Sequence, residues 1–321
     1  MADTNTKVLV VGGAGYIGSA VVEALRQKNI PFAVYDNLLY EYQYLKPVDF
    51  FYGDILDTEK MREILPGFSH IVWLAAIVGN TACQVKPFLA ASINTEAVQW
   101  IATHFSGRIV FSSTCSVYGQ YSELVDENSL ANPLSLYART KLQAEKYLQG
   151  KNQLILRLGT VYGISDTYCR LRMDLVVNYM TANAIAKGCL KVFGGTQWRP
   201  LIHVKDLAEV IVDNLESRAY GIYNIATMNI QIKDLAWIVS NVTGCKIEYA
   251  GQKLEDERSY EVSTKKAIKD EIFRLGKVRT IEYGVKEIAQ VIASKRVPYP
   301  EHDRYFNDRY LARLFKNEQH I

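Results

Sequence analysis

"VVGGAGYIGSA", residues 10–20, sets spaced glycines directly after an apolar run, and its reading decides the fold. Gly13, Gly15 and Gly18 satisfy G-x-G-x-x-G, while Gly12, Gly15 and Gly18 satisfy G-x-x-G-x-x-G. The preceding "KVLVV" (7–11) reads as a β-strand and Tyr16–Lys28 as a helix, the strand–turn–helix context that gives the motif its meaning. Without side chains at the turn, the backbone can approach a pyrophosphate at the helix N-terminus. Free N–H groups and the helix dipole favour an anion there. The expectation is a dinucleotide held by Gly12, Gly15, Tyr16, Ile17 and Gly18.

Outward from this turn, the first half alternates short strands with helices. "FAVY" (32–35), "DFFY" (49–52), "HIVWL" (70–74), "RIVFS" (108–112) and "QLILR" (153–157) read as further strands. Thr58–Leu65, Pro87–Phe105 and Tyr137–Gln149 read as helices between them. That alternation predicts an α/β fold, a Rossmann-type doubly wound parallel sheet whose ligands lie beyond the carboxyl ends of the strands. After about Leu158 the rhythm breaks, with a helix expected near Met173–Lys187 and a tyrosine- and arginine-rich tail at 299–315. Residues 1–165 are therefore assigned to the dinucleotide-binding domain, with returning segments near 200–225. Residues 166–321 form mainly a smaller, interleaved substrate-binding lobe.

Composition narrows the function classes. The 321 residues are 49% hydrophobic, enough for a sizeable core, and the net charge of +3 comes without a basic block. That leaves no footprint for nucleic acid or an anionic membrane. No apolar run approaches the ~20 residues that span a bilayer, and "MADTNTK" lacks a signal-peptide core. Five scattered cysteines without metal-ligand or redox spacing predict reduced thiols in a cytoplasmic protein and no bound metal.

The second strand ends in "YDNL", which puts Asp36 18 residues beyond Gly18. A carboxylate there accepts hydrogen bonds from both ribose hydroxyls and repels a 2′-phosphate, and no basic residue follows until Lys46. The expected cofactor is NAD, with Asn37 beside Asp36. "GDI" brings Asp54 and Ile55 toward the adenine edge, and "LAA" (Leu74, Ala75, Ala76) offers small residues where a flat cofactor passes.

Tyr137 and Lys141 stand four apart in "YARTK", on one helix face. A neighbouring ammonium and a cationic nicotinamide would lower the tyrosine pKa and make it a base for a sugar hydroxyl. With 21 tyrosines in the chain, the pair alone decides little. "FSSTCSVYG" (111–119) adds a run of hydroxyls, including Ser112, where a strand ends.

Together "GGAGYIG", "YDNL", "GDI", "LAA", "SSTCSVYG", "YARTK", "RLGTVYG" and "RPLIHVKD" resemble the extended short-chain dehydrogenase/reductase family, in particular its NAD-dependent sugar-nucleotide epimerases and dehydratases. The resemblance implies that Thr114 hydrogen-bonds the reacting hydroxyl, Tyr137 is the base and Lys141 holds the nicotinamide ribose. It implies that Asn94 supports the cofactor site. On the substrate side it implies Asn178 at the diphosphate, Phe193 against the nucleotide base, and Arg199 and Arg258 as diphosphate clamps. Arg172, Cys115 and Ser116 are the remaining expected substrate contacts. Relatives that eliminate water carry an Asp-Glu pair where Cys115 and Ser116 stand, which disfavours dehydration here.

Two enzymes remain, both starting with oxidation at C4 of a nucleotide-diphosphate sugar. A 4-epimerase takes first place. A 4-dehydrogenase is the alternative, because "RLRMDLVVN" and "EDERSYEVS" also resemble a branch that includes GDP-heptose 4-dehydrogenases. A non-catalytic NAD-binding scaffold is a third reading, opposed by the intact Thr114, Tyr137 and Lys141. Relatives commonly pair through the helices at Pro87–Phe105 and Tyr137–Gln149, which implies a homodimer or larger assembly.

Overall fold

Seven short strands, mostly β-branched or aromatic, lie side by side in the computed structural model: β1 (Val8–Val11), β2 (Phe32–Asp36), β3 (Phe50–Tyr52), β4 (His70–Trp73), β5 (Arg108–Thr114), β6 (Gln153–Leu158) and β7 (Gly221–Ile225). Their order is β7-β6-β5-β4-β1-β2-β3, and every neighbouring pair is parallel. The structure describes residues 6–166, 168–251 and 258–317. Residues 1–5 of "MADTNTK" and 255–257 of "EDERSYEVS" lie outside the described residues.

Side chains alternate across the sheet, as strand geometry requires. Val8, Val10, Val34, Val72, Val110 and Leu154 pack against Val21, Leu25, Leu207 and Ile211 on one face. Those partners come from helices Tyr16–Gln27 and Val204–Asp213. Leu9, Val11, Tyr35, Ile71, Trp73, Phe111 and Ile155 pack on the other face, against Met61, Ile101 and Leu148. Both faces are covered, so the sheet is doubly wound as expected. The chain starts outward from β1 in one direction and resumes from β4 in the other, leaving a crevice at their carboxyl ends.

The second lobe has its own core, in which Val177, Met180, Leu235, Val239, Val285 and Ile288 are buried. These come from helices Val176–Lys187, Ile232–Thr243 and Ile281–Ala293. A small sheet of Thr160–Tyr162, Trp198–His203 and Met228–Gln231 joins the lobes. The last described helix, Asn307–Asn317, returns to pack on helix Asn80–Val85.

Several elements differ from their sequence reading. The single helix expected over Pro87–Phe105 is Pro87–Ala91, a π-helical turn Ser92–Glu96, and Ala97–His104. The turn is where Asn94 forms its buried bonds. Its Oδ1 accepts from the Ile77 N–H at 2.8 Å, and its Nδ2 donates to the Ile77 carbonyl at 2.9 Å. The helix expected from Met173 begins at Val176, after Leu175 in extended conformation. Asp174 is held outside it, accepting from Arg172 and from the Asn307 N–H.

Candidate active site

A cleft of 1060 Å³ opens at the carboxyl ends of β1 and β4 and runs into the second lobe. Its floor is the glycine turn. Gly12 has φ +84°, and a Cβ there would meet the Ala75 backbone nitrogen at 2.5 Å, so a side chain is excluded twice over. A Cβ on Gly15 would touch only the Gly12 carbonyl oxygen, at 3.4 Å. Gly15 is the N-cap of helix Tyr16–Gln27 and supplies no side-chain cap, so the first-turn N–H groups look for a partner in the cleft. Tyr16 reaches across the lobes, its hydroxyl donating to the Gly163 carbonyl at 2.7 Å.

Asp36 sits at the end of β2 on the cleft wall. Its Oδ2 accepts from the Ala14 N–H at 3.0 Å and its Oδ1 from the Leu38 N–H at 2.8 Å. Burial pushes the Asp36 carboxyl above its ordinary range, against the pull of those N–H groups. Beside it Asn37 donates to Asp54 Oδ2 at 2.9 Å. Ile17, Gly18, Ile55, Leu74, Ala75 and Ala76 complete this wall.

Ser112 and Thr114 come from the end of β5, and Tyr137 and Lys141 from helix Leu136–Leu148. Ser135 starts that helix by accepting from the Ala138 N–H at 3.1 Å. All four residues line the cleft. The Ser112 hydroxyl is buried without a hydrogen-bond partner. Lys141 is 2% exposed, and its Nζ lies 4.3 Å from the centre of the Phe111 ring. Burial pushes the Lys141 ammonium down to about 7, opposed by Glu145. Burial pushes the Tyr137 phenol up, with Arg172 and Arg258 pulling the other way. The sequence reading has an ammonium and a cationic nicotinamide together lowering Tyr137. In the protein alone, burial is the largest influence on each group and favours its neutral form.

The substrate side departs further from expectation. Arg172, Phe193, Arg199 and Arg258 line the cleft. Arg172 forms a two-pronged pair with Asp174 at 2.6 and 2.9 Å. Arg199 donates to the carbonyls of Trp198 and Arg258, and Arg258 to Ser116 Oγ at 3.3 Å. Asn178 is not on the wall. It is 1% exposed, with its carboxamide bonded to Gly163 N–H at 2.9 Å and to the Arg172 carbonyl at 2.8 Å. Cys115 also turns inward, its thiol donating to the Arg157 carbonyl at 3.1 Å. Ser116 lies behind the cleft against the Tyr260 hydroxyl at 3.2 Å. A 3₁₀ turn beginning at Cys115 rotates both away from the wall that carries Thr114. Asn94 likewise stands one layer back, bonded to Ile77 and, at 3.2 Å, to Thr140 between Tyr137 and Lys141.

The sequence reading missed the residues that close the cleft. Arg170 receives Tyr40 at 4.9 Å from its guanidinium, donates its backbone N–H to Glu41 at 2.8 Å, and bonds Asn307. Asn307 in turn donates to the Val78 carbonyl at 3.1 Å. The tyrosine- and arginine-rich composition of the tail was the available signal. Among the described residues, no group of three or more His, Cys, Asp or Glu could hold a metal. No helix among them is long and apolar enough to cross a membrane.

Known proteins share this family pattern and fold. The model of the NAD dependent epimerase/dehydratase family matches residues 8–226. The chain is 32% identical over 234 residues to the uncharacterized UDP-glucose epimerase YtcB of Bacillus subtilis (strain 168), covering 64% of this chain and 71% of that one. It is 31% identical over 235 residues to the UDP-glucose 4-epimerase of Rhizobium meliloti (strain 1021), covering 65% and 71%. The UDP-glucose 4-epimerase of Thermus thermophilus, solved in complex with NAD, superposes with a TM-score of 0.76 at 25% identity, over 89% of this chain and 100% of that one. The chain belongs to the NAD dependent epimerase/dehydratase family.

Proposed function

We propose that this member of the family inverts C4 of a nucleotide-diphosphate sugar, with NAD as its cofactor. The observation that carries the reading is the convergence of Thr114, Tyr137 and Lys141 with the glycine turn in one cleft. The cleft suits NAD. The space at Gly15, the uncapped helix start and the unpartnered Ser112 hydroxyl are matched to a pyrophosphate and a polar ring edge. Asp36 keeps carboxylate lone pairs beyond those used by Ala14 and Leu38, suited to ribose hydroxyls.

Bound NAD supplies a hydride acceptor and a positive ring charge that favours the Tyr137 phenolate. Tyr137 then takes the proton of the sugar 4-hydroxyl while Thr114 orients that oxygen through a hydrogen bond. Lys141 holds the ribose and contributes positive charge beside the phenol. After the 4-keto sugar turns over in the cleft, the hydride taken from C4 would return to the other face of that carbon as Tyr137 gives back the proton, and the opposite epimer is released. Phe193, half exposed on the far wall, suits a nucleotide base, and Arg172, Arg199 and Arg258 suit the diphosphate. The same reading has a homodimer formed through helices Ala97–His104 and Leu136–Leu148, acting in the cytoplasm.

The fate of the hydride tests the reaction. Substrate deuterated at C4 should give an epimer that retains the label, with turnover continuing without added oxidant. A single turnover that stops with rising near-ultraviolet absorbance and release of a 4-keto sugar would replace the epimerase with the 4-dehydrogenase.

A further inference from the structure

Beneath the reactive groups lies a buried polar cluster that the mechanism above does not use. Glu145 follows Lys141 by four residues on the same helix, so the two side chains share a face. Glu145 is 1% exposed, and Arg157 on β6 is 4% exposed. Their pairing is two-pronged, with Arg157 Nη2 at 2.7 Å and Nε at 3.1 Å from the two carboxylate oxygens. The Ser113 hydroxyl, adjacent to Thr114, donates to the same carboxylate. Arg157 also donates to the Tyr118 hydroxyl at 3.0 Å, and Tyr118 to Asn224 at 2.8 Å. One carboxylate thus ties together the helix carrying Tyr137 and Lys141, the strand carrying Thr114, and the next strand.

A buried ion pair is weak evidence for stability, because desolvation cancels much of its attraction. Its placement makes sense through Lys141. The ammonium is sunk among apolar groups with the Phe111 ring beneath it. The titratable groups that act on it are Glu145 on its own helix and Cys83 on helix Asn80–Val85, with Arg157 beyond Glu145 and Tyr137 four residues before it on the same helix. Cys83 is a buried thiol pushed up to about 12, so it carries no charge at neutral pH. Glu145, one turn along the helix, is the anion that opposes the effect of burial on Lys141.

We propose that Glu145, clamped by Arg157 and Ser113, is a positioning residue that keeps Lys141 charged and in register with Thr114. It acts through Lys141 and touches neither substrate nor cofactor, and it rests on the catalytic reading of Lys141 given above. The two members of the pair have opposite effects. Removing Glu145 leaves Arg157 as a nearby cation and favours neutral Lys141. Removing Arg157 leaves Glu145 facing Lys141 alone and favours the ammonium.

Carbon-13 NMR of ε-labelled lysines in the cofactor-free protein follows this directly, with the Lys141 signal assigned by Lys141→Met. Glu145→Gln should move the Lys141 titration to lower pH by about one unit or more, and Arg157→Met should move it to higher pH. In the loaded enzyme the alkaline limb of kcat should move in the same directions with KM little changed. A pair that merely braces the fold would lower activity in both variants and leave the Lys141 titration where it was, which overturns the proposal. Should a single variant not fold, the double variant Glu145→Leu/Arg157→Met replaces the pair by apolar groups of similar size. It should fold and titrate Lys141 below wild type, and an unmoved titration there overturns the proposal equally. If Tyr137→Phe retained near-normal turnover, the catalytic reading would fail, while the NMR titrations would still decide the role of Glu145.

Discussion

On the cofactor side of the cleft, the Ser112 hydroxyl has no partner, the helix after Gly15 has no side-chain cap, and Gly15 leaves its space open. On the substrate side, Arg172 is already paired with Asp174, Arg199 bonds two carbonyls, and Arg258 bonds Ser116. The first half is built to receive a ligand as it stands, since few existing bonds must break. On the proposed reading the second half exchanges internal bonds for ligand bonds, and only the surplus appears as affinity. That difference suits an enzyme that holds one cofactor and trades substrates. Burial raises the Asp174 carboxyl, yet Arg172 and the Asn307 N–H hold it below its ordinary range, so this exchange begins from a formed ion pair at neutral pH.

The largest test of the contrast lies at its seam. Tyr137→Phe should cost roughly 10²–10⁴-fold in turnover while NAD content is kept, because only a proton-transfer group is lost. Steady-state rates with cofactor analysis of the denatured protein measure both, and near-normal turnover would remove Tyr137 from the chemistry. Asp36→Ala should weaken NAD binding by about 1–3 kcal/mol in a calorimetric titration, and relax discrimination against NADP. Unchanged affinity with reduced stability would make Asp36 a brace for Ala14 and Leu38 and break the contrast on its open side. Asn178→Ala should act on the fold instead. It removes the acceptor of the buried Gly163 N–H, costing about 1–3 kcal/mol in denaturant unfolding with KM unchanged. A raised KM at unchanged stability would return Asn178 to the binding surface.

The cofactor half was readable in the sequence because its signals are local. A strand, a turn and a helix lie within residues 8–27, and Asp36 ends the next strand. The substrate half was not, because its side chains choose partners far away in the chain. Asn178 closes on Gly163 and Arg172, and Arg170 on Asn307, so residue type alone could not say which would face a ligand. At Cys115 and Ser116 the obstacle was a single 3₁₀ turn, which decides facing without changing composition. The burial that acts on Tyr137 and Lys141 is hidden from the sequence for a related reason. Spacing places two groups together, but their burial is set by Phe111 and the helices packed over them, which no local pattern records.

Asn307 joins the loop after β4, at Val78, to Arg170 of the second lobe, and so the cleft is closed by nearly the last described helix. This has a consequence for the order in which the molecule is made. The glycine turn leaves the ribosome well before Asn307, and its strand can find β2 early. The rim cannot form until some three hundred further residues have been added, at ~5–20 residues per second. A nascent chain therefore carries an unfinished, apolar-lined mouth for many seconds, and contacts of such long sequence separation are the slowest to form. NAD arriving during that interval would meet its own half of the site complete and the substrate half still open.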